Sequence, residues 1–128
     1  MDVIANFLTI IRNGVLASKS FVLAPYSKER ASIANILKKE GLIGDAIVMQ
    51  DNGRKMLKII LRYVYGESVI HEIKRVSKPS RRVYTSIHAL KPVIGGLGVS
   101  ILSTNQGILS HKKAKELNVG GEVICTVW

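Results

Sequence analysis

Residues 43–65 read IGDAIVMQDNGRKMLKIILRYVY, and the fold is decided in this stretch. Asp51-Asn52-Gly53 is strong turn chemistry, because Asn and Gly tolerate the positive φ values that a tight hairpin demands. In the second flank Leu57, Ile59, Leu61 and Tyr63 alternate with Lys58, Ile60 and Arg62, the period of a half-buried strand. The spacing predicts a β-hairpin with strands over 43–50 and 55–65.

Cover for its apolar face comes from upstream. Asp2 can cap a first helix in which Val3, Ile4, Phe7, Leu8 and Ile11 recur at helical spacing. Thr9, Arg12 and Asn13 lie on or near its polar side. An extended piece over 21–24 stops at Pro25. Ser27 is placed to cap a second helix over 28–40, with Ile33, Ile36 and Leu37 as its buried stripe and Gly41 as its stop.

Downstream the elements shorten. Residues 66–68, Gly-Glu-Ser, are the expected boundary between a first lobe, 1–66, and a second, 67–128. The second lobe is read as extended over 69–76, a turn at 77–80 and a returning strand over 81–84. Residues 85–90 are ambiguous, with a short helical turn as one reading, and 95–98 form a loop. A strand over 99–103, a turn at 104–107, a short helix from Ser110 to Leu117 and a last strand over 122–128 follow. The expectation is an α+β protein: N-terminal helices packed on a short β-sheet, then a mainly antiparallel β-sheet with a short helix.

The chain has 128 residues, 19 Lys and Arg against 9 Asp and Glu, and a formal net charge of +10. Apolar residues make up 47% and only three are proline, which is not the composition of a disordered basic tail. One cysteine, Cys125, makes neither an internal disulfide nor, alone, a zinc site, so a reducing compartment fits and a disulfide scaffold is excluded. The longest uncharged apolar stretch, 92–102, falls short of the ~20 residues of a spanning helix. No secretory or transit segment is expected at the start.

The charge is uneven. Residues 1–72 carry 10 basic and 7 acidic side chains, whereas residues 73–128 carry 9 and 2. No acid occurs from Ile73 through Lys115, while Lys74, Arg75, Lys78, Arg81, Arg82, Lys91, Lys112, Lys113 and Lys115 fall inside that stretch. Apolar strands running through it would hold these cations in place, as a phosphate-contacting surface requires.

Catalysis finds little support. His71, His88 and His111 are scattered, and Ser100, Ser103 and Ser110 lack a nucleophile-elbow context. Residues 95–98, Gly-Gly-Leu-Gly, have no Gly-Lys-Ser/Thr ending and open no helix, so positive φ or close packing explains them better than phosphate binding. No cofactor or metal is expected. Two loops suit nucleic acid. Ser103-Thr104-Asn105-Gln106-Gly107 sets small polar groups where 2′-hydroxyls, base edges or phosphates could approach. Lys74, Arg75, Lys78, Arg81 and Arg82 surround Ser77-Pro79, with Tyr84 available to stack on a base. A general nucleic-acid-compacting protein and a small RNA-acting enzyme are the rival readings.

Four blocks carry a resemblance: DVIANFLTIIRNG at 2–14, KRVSKPSRRVY at 74–84, GGLGVSILSTNQGILS at 95–110 and GGEVICTVW at 120–128. In this order and spacing the chain resembles small-subunit ribosomal protein eight of bacteria and plastids, along nearly its whole length. The resemblance implies a two-lobe α/β protein that binds the central domain of small-subunit rRNA early and helps organise the platform. It implies that Ser103, Thr104 and Asn105 enter an RNA minor groove, that Gly107 permits the tight turn, and that Tyr84 lies against the RNA. Gly121 and Glu122 would buttress that turn, and Thr9, Arg12 and Asn13 would meet a second rRNA segment. Small-subunit proteins five and twelve would be neighbours of a monomer within the ribosome, with no membrane involved. The setting would be the bacterial cytoplasm or the plastid stroma. Some bacterial members also repress translation of their own operon. Three departures stand out: the family commonly has a hydroxyl residue at Asn105, Gly at Ser80, and Pro and Asp at Val3 and Asn6. A Ser forced to positive φ at position 80 would cost on the order of 1 kcal/mol.

Overall fold

A computed structural model describes residues 3–86 and 98–128. The expected Asp2 cap, the segment after Ser86 with His88, Lys91 and Pro92, and Gly95 to Leu97 lie outside the described residues. The chain divides into two compact units, Met1–His71 and Glu72–Trp128. The turn at 66–68 lies inside the first.

The first unit sets helices α1 (Val3–Leu16) and α2 (Lys28–Lys39) with a three-stranded sheet of β1 (Phe21–Pro25), β2 (Ile43–Asp51) and β3 (Arg54–Leu61). The sheet order is β1-β3-β2, all antiparallel. Asn52 and Gly53, at φ 51 and 77, make a two-residue turn between Asp51 and Arg54, the geometry of a type I′ hairpin. Phe7, Leu8 and Ile11 of α1, Ile33, Ala34 and Leu37 of α2, and Leu57 and Ile59 of β3 are buried. Ile36 is only half-buried; Ala34 and Arg30 take the buried places on α2 instead. Arg30 is tolerated because its guanidinium donates to the Pro25 carbonyl at 2.9 Å and towards that of Val3 at 3.4 Å.

Helix ends follow local chemistry. The Ser27 side chain accepts from the Arg30 N–H. At the other end the Gly41 N–H donates to Lys38 and the Leu42 N–H to Leu37, the paired bonds of a Schellman motif.

The strand expected to reach Tyr65 breaks after Leu61. The Arg62 carbonyl accepts from the Val69 N–H, and the Arg62 guanidinium donates to the Gly41 carbonyl. A separate hairpin, β4 (Tyr63–Val64) and β5 (Glu67–Ser68), follows.

The second unit is built on β10 (Gly121–Val127). On one side it pairs with β8 (Val99–Thr104), which pairs in turn with β9 (Gly107–Ser110). On the other it pairs first with β6 (Ile73–Arg75) and then with β7 (Tyr84–Thr85). The extended reading of 69–76 therefore shrinks to three residues. The returning strand of 81–84 is replaced by an isolated bridge, Lys78 to Arg81, and the short β7. Ser80 stays out of the left-handed region, so the cost attached to a positive φ there is not incurred. Helix α3 (His111–Glu116) is capped by the Ser110 hydroxyl and packs Ala114 with Leu102 and Val123. No helix among the described residues is long and apolar enough to cross a membrane.

Candidate nucleic-acid interface

The interface is assembled across three strands. Tyr84 of β7 and Ser103 of β8 are both register partners of Glu122 in β10. Directly opposed residues in antiparallel strands share a face. Tyr84, Glu122 and Ser103 therefore form one row, spanning roughly 10 Å at the usual strand spacing. Tyr84 is 70% exposed at one end, and the 103–107 turn rises beside the other.

Glu122 is the keystone. Its Oε2 accepts from the Ser77 hydroxyl at 2.5 Å and from Arg82 Nη1 at 2.9 Å. The Ser77 hydroxyl bond first, and the Arg82 guanidinium further, hold its carboxyl below the usual range, while burial opposes them. Ser77 is 1% exposed. Its oxygen also accepts from the Val83 N–H at 3.1 Å. Ser77 thus closes the neck of loop 78–82, from which Lys78, Arg81 and Arg82 are exposed. The Arg75 side chain donates to the Ser77 carbonyl. One carboxylate in the basic half therefore fixes the base of a cationic loop. Arg82 spends part of its charge on that carboxylate. Lys74 is exposed on β6, where its partner Thr126 places it on the opposite face from Arg75.

Gly121 is needed for space. A Cβ there would overlap the Ser103 carbonyl oxygen and stand 3.0 Å from its carbon and 3.2 Å from Thr104 Cα. The 103–107 turn can sit against β10 only because residue 121 has no side chain. In the turn Asn105 and Gln106 occupy the central positions, and Gly107 follows at φ 106, a conformation that disfavours any residue with a Cβ. The Thr104 hydroxyl donates to the Gly107 carbonyl at 2.9 Å and accepts from the Gln106 N–H at 3.1 Å. Its proton is committed to holding the turn. Ser103 is half-buried beside it, and Asn105 is exposed.

The other sequence candidates fall elsewhere. Thr9, Arg12 and Asn13 form an exposed stripe on α1 in the first unit, with the Thr9 hydroxyl donating back to the Ala5 carbonyl. Asn13 also lines an open groove of about 790 Å³ between α1 and β1. His71 lies outside the strands, 3.3 Å from Glu67. His111 Nδ1 accepts from the Ser100 N–H, a packing role. Gly98 has φ 83, and a Cβ there would collide with the end of β10, which accounts for one of the glycines in 95–98. Burial pushes the Cys125 thiol up to about 12, so it is protonated and inert at neutral pH.

A sequence model of the family described as Ribosomal protein S8 matches residues 2–128. The chain belongs to the ribosomal protein S8 family. It is 51% identical over 128 residues to the small ribosomal subunit protein uS8 of Bradyrhizobium sp. (strain ORS 278), covering 99% of this chain and 97% of that one. The uS8 proteins of Afipia carboxidovorans and Rhizobium etli (strain CIAT 652) are 52% and 48% identical over the same shares.

Within this S8-family chain, sequence reasoning placed Ser77 only at the centre of a basic loop. Its burial and its bridge to Glu122 were not anticipated. A signal existed: Glu116 and Glu122 are the only acids after Glu72, and a rare carboxylate among cations is a natural anchor.

Proposed function

We propose that this chain is a structural, non-catalytic constituent of the small ribosomal subunit that binds the central domain of small-subunit rRNA. The observation that carries the reading is the row Tyr84, Glu122, Ser103, flanked by the cationic loop 78–82 and the glycine-dependent 103–107 turn. Tyr84 supplies a stacking surface. Ser103, Asn105 and the remaining lone pair of Thr104 supply hydrogen bonds of the size that a minor groove admits. Lys78, Arg81 and part of the Arg82 charge neutralise phosphates beside this row, and Lys74, on the opposite face of the sheet, adds to the general positive field. Arg75, Gly121 and Glu122 act behind the surface by holding its shape.

Binding is early in assembly and helps organise the platform. The Thr9, Arg12, Asn13 stripe meets a second rRNA segment, and small-subunit proteins five and twelve are neighbours. The same surface serves translational repression of the chain's own message if that message mimics the rRNA site. The relatives named above come from bacteria, which favours cytoplasmic ribosomes over those of a plastid.

The test is binding to central-domain rRNA against a scrambled RNA of equal length across a salt series. A preference of ~10³-fold or more that persists as salt rises is the expected result. Equal affinities that collapse together would overturn the reading.

A further inference from the structure

Strand β2 is an open sheet edge, because the order β1-β3-β2 leaves its outer side without a strand partner among the described residues. Protein edges are normally blunted by Lys, Pro, bulges or short length. The other edge, β1, has five residues and ends in Pro25. By contrast β2 has nine residues, no Pro and no Lys, and beyond a register shift between Ile43 and Asp45 it is regular through Asp51. Ile47, Val48 and Met49 are 42%, 47% and 36% exposed along it.

The charge around this edge is opposite in sign to the net charge of the chain. Residues 40–53 contain Glu40, Asp45 and Asp51 and no Lys or Arg, in a chain of net charge +10. The neighbouring strand is basic, but its lysines lean the other way. Lys58 Nζ lies 4.3 Å from the Phe21 ring centroid and Lys55 Nζ 4.2 Å from that of Tyr26, both towards β1. The other cations nearby include Lys38 of α2, which pairs with Asp45 at 2.9 Å, Arg54 beyond the turn, opposite Asp51, and Arg62, whose guanidinium is held by the Gly41 carbonyl ahead of the strand.

We propose that Asp45–Asp51 of β2 is a docking edge for an extended basic segment of another protein, which adds to the sheet as a fourth strand. Main-chain hydrogen bonds along about 20 Å would supply affinity. Apolar residues of the guest would cover Ile47 and Met49 on one face and Val48 on the other. Its Lys or Arg residues would meet Asp51 and compete for Asp45. A second copy of this chain fits badly, since antiparallel pairing centred on Val48 sets Asp45 against Asp51 of the other copy. RNA fits badly as well, because this edge carries carboxylates. The inference does not depend on the RNA reading, which uses other residues.

The test uses the full isotope-labelled chain and two heptapeptides, Lys-Thr-Val-Val-Val-Thr-Lys (Val/Lys) and Glu-Thr-Val-Val-Val-Thr-Glu (Val/Glu), which set a charge opposite Asp45 and Asp51 and Val opposite Ile47, Val48 and Met49. The Val/Lys peptide is expected to slow amide hydrogen exchange within residues 45–51 at least tenfold, and the Val/Glu peptide to leave it unchanged. Ile47→Lys and Asp51→Lys are each expected to weaken the effect severalfold, with affinity for central-domain rRNA unchanged. No slowing in the unsubstituted chain, equal slowing by both peptides, or slowing undiminished by both substitutions would overturn the proposal.

Discussion

Gly121→Ala isolates the geometry of the candidate interface. The added Cβ would overlap the Ser103 carbonyl oxygen and crowd Thr104 Cα at 3.2 Å. The obstacles are main chain, so no rotamer change relieves them. Strands β8 and β10 must separate near residues 103 and 121 by roughly 1 Å, breaking the Glu122–Ser103 register pair that aligns the row. Overpacking against a fixed neighbour costs about 1–3 kcal/mol. At about 2 kcal/mol, a chain of this size loses roughly 6–10 °C in Tm. The functional effect should be separable from the folding effect. With the protein still folded at 25 °C, affinity for central-domain rRNA should fall at least tenfold, while affinity for scrambled RNA of the same length stays within about twofold, because the exposed cations are untouched. Calorimetric unfolding and parallel titrations of the two RNAs check both parts. An unchanged Tm with unchanged specific affinity would refute the steric argument. Equal loss on both RNAs would refute the separation of shape from charge.

Arg81→Ala should weaken binding to every RNA and lower the slope of log K against log salt by about 0.7–0.9; Arg82→Ala should lower it less, since Glu122 already holds part of that charge, and titrations at four salt concentrations separate the two. Ser103→Ala should reduce the specific-to-random ratio without changing Tm, whereas Thr104→Val should also destabilise the fold by about 1 kcal/mol, because the hydroxyl holds the turn; melting curves beside binding ratios test this. The Glu122 carboxyl has a folded pKa below its ordinary 4.5, so the stability it contributes is present above about pH 4.5 and lost as pH falls through the lower folded value; Glu122→Gln should therefore unfold with a flatter pH dependence over that window in acid titrations followed by circular dichroism. The Cys125 thiol, buried and raised to about 12, should resist a thiol-reactive dye at pH 8 and react fully in guanidinium; rapid labelling of the native chain would contradict its burial.

The features legible in the sequence were local. Asp51-Asn52-Gly53 marked a tight hairpin turn because Asn and Gly tolerate positive φ. Ser27 and Ser110 marked helix starts because a side-chain oxygen can accept an orphan N–H, and Gly41 marked a helix end. The blocks at 2–14, 74–84, 95–110 and 120–128 pointed to the family, and the loops they contain were named as candidate contacts. How those loops are held depends on contacts between residues far apart in the chain. Ser77 bonds a carboxylate 45 residues away, Gly121 faces the Ser103 carbonyl, and β10 draws β6, β7 and β8 to one strand. Arg30 is buried on α2 because the Pro25 and Val3 carbonyls, both outside that helix, accept its guanidinium. The strand expected to run on to Tyr65 stopped when the Arg62 carbonyl found the Val69 N–H. Turn and cap preferences are carried by neighbouring residues and survive in the unfolded chain as local energies. Strand partners, buried charges and close backbone approaches depend on groups that meet only once the chain has closed.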